Sequence, residues 1–217
     1  MEILRVENIE EKYQAQNGEV TALENISFSM DKGEFMSIVG PSGCGKSTLL
    51  SILAGLLKPT AGAVYVKGEK VEGISGHIGY MLQKDSLMDW RTIYSNVLFG
   101  LEVRHMLTVD RAVQLLKTYG LYEFKDKYPA QLSGGMRQRA ALIRTLAINP
   151  DILLLDEAFS ALDYQTRLTV TEDVYRILKQ EAITTVMVTH DIPESISMGD
   201  RILVLTARPA RVKEILD

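Results

Sequence analysis

A short glycine-rich segment that ends in a lysine and a serine follows an apolar segment and has the spacing of a phosphate cradle. The run, named here the phosphate loop, is Gly40-Pro41-Ser42-Gly43-Cys44-Gly45-Lys46-Ser47, which matches G-x-x-x-x-G-K-[ST]. Glycines let backbone N–H groups turn inward around phosphate oxygens, and a following helix adds the positive end of its dipole. We expect Lys46 to reach the β- and γ-phosphates, Ser47 to be a ligand of Mg²⁺ and Thr48 to assist at the α-phosphate. The loop predicts ATP binding; the alternative is a glycine-rich turn that only caps a helix.

Cys44 occupies a free position of this loop, and the sequence allows two interpretations of it. In one, the cysteine is a small side chain that fills space. In the other, the helix N-terminus favours its thiolate and makes it reactive. The second interpretation predicts that a thiol reagent inhibits ATP hydrolysis and that bound ATP protects.

Two adjacent acids, Asp156 and Glu157, follow the apolar residues 152–155. Open α/β sheets hold ligands at the carboxyl ends of their strands, and an apolar strand ending in acids is the arrangement found with P-loops. We expect Asp156 to orient the Mg²⁺ shell and Glu157 to act as general base on the attacking water. The alternative is an exposed acidic turn.

Three further side chains are candidates for the same chemistry. His190 follows an apolar run and is expected to hydrogen-bond the γ-phosphate; the alternative is a structural or surface residue, which a lone histidine more often is. Gln83 has an amide suited to sense Mg²⁺ and the attacking water. Tyr13 can stack on adenine, or it can be an ordinary core aromatic of a strand.

The elements that must position these residues alternate between strand-like and helix-like patterns. Residues 3–13 and 21–30 alternate as strands of a sheet with one wet face, joined through Asn17 and Gly18. Residues 35–39 predict a buried parallel strand, and residues 46–57 a helix stopped by Pro59. Residues 152–155, 185–188 and 202–205 predict further buried strands. This alternation indicates an α/β protein with helices on a parallel sheet.

The chain of 217 residues predicts one domain, residues 1–217, with a helical subdomain at about 84–150 inserted into the sheet connectivity. A net charge of -4 argues against nucleic-acid partners, and the single cysteine fits a reducing cytosol. The first residues do not have the pattern of an export signal. Since the chain has no apolar run long enough to span a bilayer, membrane association is expected to run through a protein partner.

A second glycine pair precedes another helical pattern. It lies in Leu132-Ser133-Gly134-Gly135-Met136-Arg137-Gln138, named here the signature segment. Ser133, Gly134 and Gly135 predict a second anion-binding helix N-terminus. In the helix that follows, Met136, Ala140, Ile143 and Ala147 line one face, while Arg137, Arg139 and Arg144 predict a solvated or internally paired face.

The signature segment resembles that of the ABC (ATP-binding cassette) ATPase family, and the order of Tyr13, phosphate loop, Gln83, signature segment, paired acids, Asp163 and His190 is that of the family. The resemblance implies a P-loop NTPase with a RecA-like core, an antiparallel β subdomain and an inserted helical subdomain. It implies a homodimer or heterodimer in which each signature segment completes the facing ATP site and Asp163 couples the sites. Met136 and Ala158 depart from the residues common in the family, glutamine and proline, at positions that supply no chemistry.

Residues 81–98 and the ending Leu205-Thr206-Ala207-Arg208-Pro209 resemble the nitrate/sulfonate/taurine importer branch, whose chains commonly run past Asp217. The branch implies two transmembrane permease subunits, an external substrate-binding protein and a place on the cytoplasmic face of the membrane. Leu87, Met88, Trp90 and Tyr94 would line a groove for a permease helix, or belong to the core. The alternatives are another ABC importer or exporter, or a soluble ABC ATPase acting on nucleic acid or ribosomes.

Overall fold

The computed structural model describes residues 1–15, 18–106 and 108–217. Asn17, expected in the first turn, lies outside them. The chain forms two compact units, Met1–Ile78 with Ile183–Asp217, and Gly79–Ala182. The strands are β1 (Glu2–Ala15), β2 (Gly18–Asp31), β3 (Phe35–Val39), β4 (Ala61–Val66), β5 (Glu69–Lys70), β6 (Ile78–Met81), β7 (Ile152–Asp156), β8 (Thr184–Val188), β9 (Arg201–Leu205) and β10 (Val212–Leu216). The α-helices are α1 (Lys46–Leu53), α2 (Ile93–Val103), α3 (Asp110–Thr118), α4 (Gly134–Ala147), α5 (Tyr164–Gln180) and α6 (Ile192–Met198).

The first unit contains an antiparallel sheet in the order β2-β1-β4-β5. Along β2, Ile26, Phe28 and Met30 are buried while the residues between them are exposed. The prediction of a sheet with one wet face is therefore confirmed for this strand.

The same unit contains β3 between β8 and β9, parallel to both. All residues of β3 and β8 are buried, as the continuous apolar runs predict. Strand β10 pairs with β9 in the antiparallel direction, which the sequence analysis did not anticipate. Because β3 and β8 are parallel, the residues after them, Gly40 and His190, leave the sheet at the same edge.

Helix α1 is shorter than predicted, since it ends at Leu53 and not at Leu57. Gly55 has a φ of 72°, and its N–H donates to the carbonyl of Ile52. A left-handed glycine just past the helix is a common helix stop. Leu49, Leu50 and Leu53 are buried as expected, and Leu57 is half-buried outside the helix.

The second unit contains β6 beside β7, and α4 packed against α2, α3 and α5. Helix α4 agrees with the helix predicted after the signature segment. The arginines of α4 are paired within this unit: Arg137 lies 3.1 Å from Asp85, and Arg144 donates to the carbonyl oxygens of Asp85 and Ser86. Burial lowers the pKa of the Arg144 guanidinium. The subdomain limits of about 84–150 fall inside this unit and stay a prediction.

Among the residues that the structure describes, none of the helices has the length and apolar character needed to cross a membrane.

Candidate functional site

The phosphate loop connects the end of β3 to the start of α1, as the motif requires. Lys46, the first residue of α1, is 6% exposed. Its Nζ donates to the carbonyl oxygens of Gly40, at 2.9 Å, and Pro41, at 3.1 Å. These bonds hold a positive charge against the loop backbone, where a phosphate would be bound.

Two glycines of the loop have backbone conformations that other residues rarely adopt. Gly43 has a φ of 70° and Gly45 a φ of 125°. A Cβ on Gly45 would lie 2.9 Å from Leu23 Cδ2 and 3.3 Å from the carbonyl oxygen of Ala22. The loop thus needs glycine at position 45 for both its conformation and its packing. This conformation agrees with the predicted role of the loop as a phosphate cradle.

Cys44 is buried, with 1% of its surface exposed. A Cβ placed on Gly40 would lie 3.2 Å from Cys44 Sγ, which shows how closely the thiol packs against the loop. The structure favours the interpretation of Cys44 as a space-filling residue. The expectation of a readily reactive thiol needs correction, because a reagent can reach Sγ only when the loop opens.

Tyr13 lies on β1 and is 41% exposed, so its interpretation as a core aromatic is wrong. Its hydroxyl donates to Thr48 Oγ1 at 3.4 Å. The two residues link β1 to α1 next to the phosphate loop. An exposed ring at this place has a face available for a nucleobase.

His190 follows β8 and is exposed. It lines a cavity of about 510 Å³ together with Gly40 and Pro41 of the phosphate loop. The segment is ordered by α6, whose N-cap Asp191 accepts a hydrogen bond from the N–H of Glu194 at 3.2 Å. The structure therefore brings His190 and the phosphate loop to one cavity.

The paired acids belong to the second unit, where β7 ends at Asp156. Gln83 Nε2 donates to Glu157 Oε2 at 3.4 Å and to Ser160 Oγ at 3.1 Å. Tyr80 OH donates to Asp156 Oδ2 at 3.1 Å. The predicted sensor Gln83 and the predicted base Glu157 are thus in contact.

Sequence reasoning assigned no role to the side chains of Tyr80 and Ser160. Tyr80 stands in an apolar strand, where the only signal was a hydroxyl that needs a partner when partly buried. Ser160 has a small polar side chain three positions after Glu157, and its residue type alone does not predict a hydrogen bond to Gln83. Both are hydrogen-bonded to residues of the candidate site.

The signature segment starts α4, with Ser133 as N-cap accepting a bond from the N–H of Met136 at 3.3 Å. Gly134 and Gly135 are the first helical residues. A Cβ on Gly135 would lie 2.8 Å from Val170 Cγ2 of α5, so glycine permits the close approach of these helices.

Asp163 is the N-cap of α5 and accepts a bond from the N–H of Thr166 at 3.1 Å. Hydrogen bonds from the side chain and then the backbone of Thr166 hold the pKa of Asp163 below its ordinary value. The carboxylate that the sequence singled out therefore keeps its charge to a lower pH than an ordinary aspartate.

The described residues contain no cluster of three or more His, Cys, Asp and Glu side chains arranged for a metal ion. Mg²⁺ usually keeps several waters and takes only one or two carboxylates together with substrate phosphates, so such a cluster is not required. The hydroxyl of Ser47, the amide oxygen of Gln83 and the carboxylate of Asp156 are oxygen donors of the kind that Mg²⁺ prefers.

A strand, a glycine loop and a helix that buries the loop lysine, together with acids at the end of a buried strand, define a nucleotide-binding protein of the P-loop class. Residues 23–160 match the family model described as ABC transporter. The chain belongs to the ABC transporter family, as an ABC ATPase that hydrolyses ATP, and is the ATP-binding subunit of such a transporter.

Similar proteins agree with this assignment. The ABC transporter ATP-binding protein YtlC of Bacillus subtilis (strain 168) is 48% identical over 218 residues, covering 99% of this chain and 84% of that protein. The taurine import ATP-binding protein TauB of Ruegeria pomeroyi is 42% identical over 217 residues, covering 96% of this chain and 80% of that protein. The structure of the ATP-binding cassette MJ0796, a dimer in a post-hydrolysis state with ADP and Pi, superposes with a TM-score of 0.80 at 32% identity, covering 98% of this chain and 99% of that one. The predicted fold class is confirmed; the roles of individual residues stay predictions.

Proposed function

We propose that this ABC ATPase powers the import of a small anion, such as a sulfonate, taurine or nitrate. The observation that carries the proposal is the 42% identity, over nearly the whole chain, with a protein named for taurine import. The cargo would be selected by other subunits, and this chain would supply the energy of ATP hydrolysis.

In the proposed mechanism, the phosphate loop and Lys46 bind the phosphates and Tyr13 stacks on adenine. Ser47, Gln83 and Asp156 would hold Mg²⁺, and the ion would supply positive charge that offsets the negative charge of the phosphates. Glu157 takes the proton of the attacking water, while Gln83, already bonded to Glu157, positions that water. His190 donates a hydrogen bond to the γ-phosphate.

The proposal of a dimer is supported by two helix N-termini in one chain that are suited to bind anions. One belongs to α1 after the phosphate loop, and the other to α4 after Ser133. In a two-fold pair, homodimer or heterodimer, Ser133, Gly134 and Gly135 of one subunit would bind the γ-phosphate held by the other. The dimeric state of MJ0796 supports this arrangement. ATP would favour the closed pair and hydrolysis would release it.

Permease docking is supported by the exposed apolar residues after β6. Trp90 is 78% exposed and Leu82 is 48% exposed, whereas Leu87 is buried in the core at 8%. Aromatic residues are enriched at interfaces, and Met88 and Tyr94 are half-buried and so partly accessible. The proposed assembly has two permease subunits, an external binding protein and this ATPase at the cytoplasmic face of the membrane.

A growth experiment tests the cargo. A strain lacking this gene is supplied with taurine, an alkanesulfonate or nitrate as the only source of sulfur or nitrogen, and is complemented with the wild-type gene or Glu157→Gln. We expect loss of growth on one of these anions, rescued by wild type only, and co-purification of the tagged chain with two membrane proteins. Unimpaired growth on all three would point to another cargo, and stable association with DNA or ribosomes would overturn the transport proposal.

A further inference from the structure

Arg208, in the segment between β9 and β10, reaches the phosphate loop. Its Nη2 donates to the carbonyl oxygen of Gly43 at 2.7 Å, across 165 positions of the chain. We infer that Arg208 is a positioning residue that fixes the peptide between Gly43 and Cys44, and thereby tunes the affinity of the loop for ATP. The affinity part rests on the proposed role of the loop as the ATP phosphate site.

The Gly43–Cys44 peptide needs an external restraint because it follows a left-handed glycine. Gly43 has a φ of 70°, and glycine adopts several backbone conformations at little cost. In a planar trans peptide the C=O and the N–H point in opposite directions. Here the C=O bonds to Arg208, and the N–H of Cys44 donates to the carbonyl oxygen of Pro41 within the loop, at 3.2 Å. The bond from Arg208 therefore keeps the Cys44 N–H directed into the loop.

A guanidinium is well suited to this restraint. It stays protonated at any physiological pH, and hydrogen bonds from a charged donor are about twice as strong as those between neutral groups.

The segment that carries Arg208 is itself fixed to the strand that supports the loop. The N–H of Ala210 donates to Ala22 O, and the N–H of Glu24 donates to Ala210 O, both at 2.9 Å. Residues Ala22 and Leu23 are also those that pack against Gly45. One support on β2 thus holds the loop directly at Gly45 and, through Arg208, at Gly43.

Cys44 gives a direct readout of this restraint. It is the single cysteine of the chain and is 1% exposed. A thiol reagent reacts with a buried cysteine through the fraction of molecules in which the loop is open. The reaction rate therefore reports how well the loop is held, independently of any ATPase assay.

The experiment measures the rate at which a chromogenic disulfide reagent labels Cys44 in the full chain, in wild type, Arg208→Ala and Arg208→Lys. Arg211→Ala is the matched control, because Arg211 lies in the same segment but pairs with Glu24, at 2.8 Å, and is 59% exposed. We expect Arg208→Ala to raise the rate about tenfold, the effect of losing one charge-assisted hydrogen bond. Arg208→Lys should restore most of the protection, and Arg211→Ala should react like wild type. An Arg208→Ala rate equal to wild type would overturn the inference, as would an equal rise in Arg211→Ala.

Steady-state kinetics tests the link to ATP. Arg208→Ala should raise the KM for ATP about tenfold, the same charge-assisted bond being lost, while kcat stays within about twofold, because Arg208 acts on binding and not on the attacking water. A faster labelling rate with unchanged KM would overturn the link to affinity. ATP should protect Cys44 in the wild-type chain; failure of that protection would count against the loop as the ATP site, whatever Arg208 does.

Discussion

Glu157 has a backbone conformation that is uncommon for its residue type. Its φ is 45°, directly after the last residue of β7, and its carbonyl accepts a bond from the N–H of Ser160 at 3.0 Å. A non-glycine residue in the left-handed region costs roughly 1 kcal/mol, and such residues cluster at functional sites where the surroundings hold them. The turn and the bond from Gln83 help to hold Glu157 in this conformation.

Replacement of Glu157 by glutamine tests its role as base. Glutamine has nearly the same size, so it keeps the turn and binds ATP, but it cannot accept the proton of the attacking water. We expect Glu157→Gln to lower kcat by about 10² to 10⁴-fold, measured as phosphate release, with ATP binding retained. The control Glu172→Gln changes a carboxylate that is 78% exposed on α5 and should keep wild-type activity. Normal turnover in Glu157→Gln would remove this residue from the mechanism.

The depressed pKa of Asp163 makes stability depend on pH. Because its pKa is lowered in the folded chain, the charged cap contributes stability above the ordinary aspartate pKa of about 4, and this contribution is lost as the pH falls below that value. Asp163→Asn keeps a capping side chain without the charge. We expect the variant to be less stable than wild type at neutral pH in urea unfolding, and the gap to close in acid. A gap that is constant with pH would contradict the stabilising charge.

At the residue scale, the type and spacing of the side chains were enough to predict a candidate site, whose residue roles stay predictions. Lys46, Asp156 and Glu157 belong to continuous motifs, in which the neighbouring residues support the assignment of each one. The contacts of Tyr80 and Arg208 were not predictable, because each partner is distant along the chain and either residue could have faced solvent. The sequence left two interpretations of Cys44 open for the same reason: the motif gives its position, but the packing of the loop decides its exposure.

Among the elements, α1 shows that a helical spacing of apolar residues can predict a helix that is too long. Leucines at 49, 50, 53 and 57 continue a helical spacing as far as Pro59, which predicted four residues too many. The chain instead turns at Gly55, where a Cβ would lie 1.9 Å from the carbonyl oxygen of Gly73. The backbone at Gly55 and the backbone at Gly73 come into close contact here, and a local sequence pattern cannot predict that contact.

Gly55 and Gly68 form a matched pair for testing this close approach. Both have positive φ, 72° and 82°, but a Cβ on Gly68 would meet nothing within 4 Å. Gly68→Ala should cost about 1 to 2 kcal/mol from backbone strain alone. Gly55→Ala carries the same strain plus a backbone clash, so we expect a free energy of unfolding lowered by clearly more than in Gly68→Ala, measured by urea denaturation. Equal losses in the two variants would show that the segment around Gly73 moves aside freely.

Strand β10 was missed for a reason of composition. Its five residues, Val-Lys-Glu-Ile-Leu, contain two adjacent charges and only a partial alternation, and they are at most half-buried. Its pairing with β9, Val212 opposite Leu205, is decided by the neighbouring strand and not by its own pattern. Edge strands of this kind are the part of a sheet that local sequence predicts worst.

For the whole molecule, the proposed assembly is a nucleotide-dependent pair of subunits, and the signature segment should decide whether the pair forms. With hydrolysis blocked by Glu157→Gln, ATP persists, so we expect ATP and Mg²⁺ to convert the chain from monomer to dimer in light scattering after gel filtration. Adding Ser133→Asp keeps a good N-cap for α4, since aspartate caps helices as well as serine does. The new carboxylate would, however, face the γ-phosphate of the other subunit, and two anions at this distance repel. The double variant should bind ATP with the affinity of Glu157→Gln and remain monomeric. If it dimerises as readily as Glu157→Gln, then Ser133 does not contact the nucleotide of the facing subunit, and the two helix N-termini do not belong to one shared site.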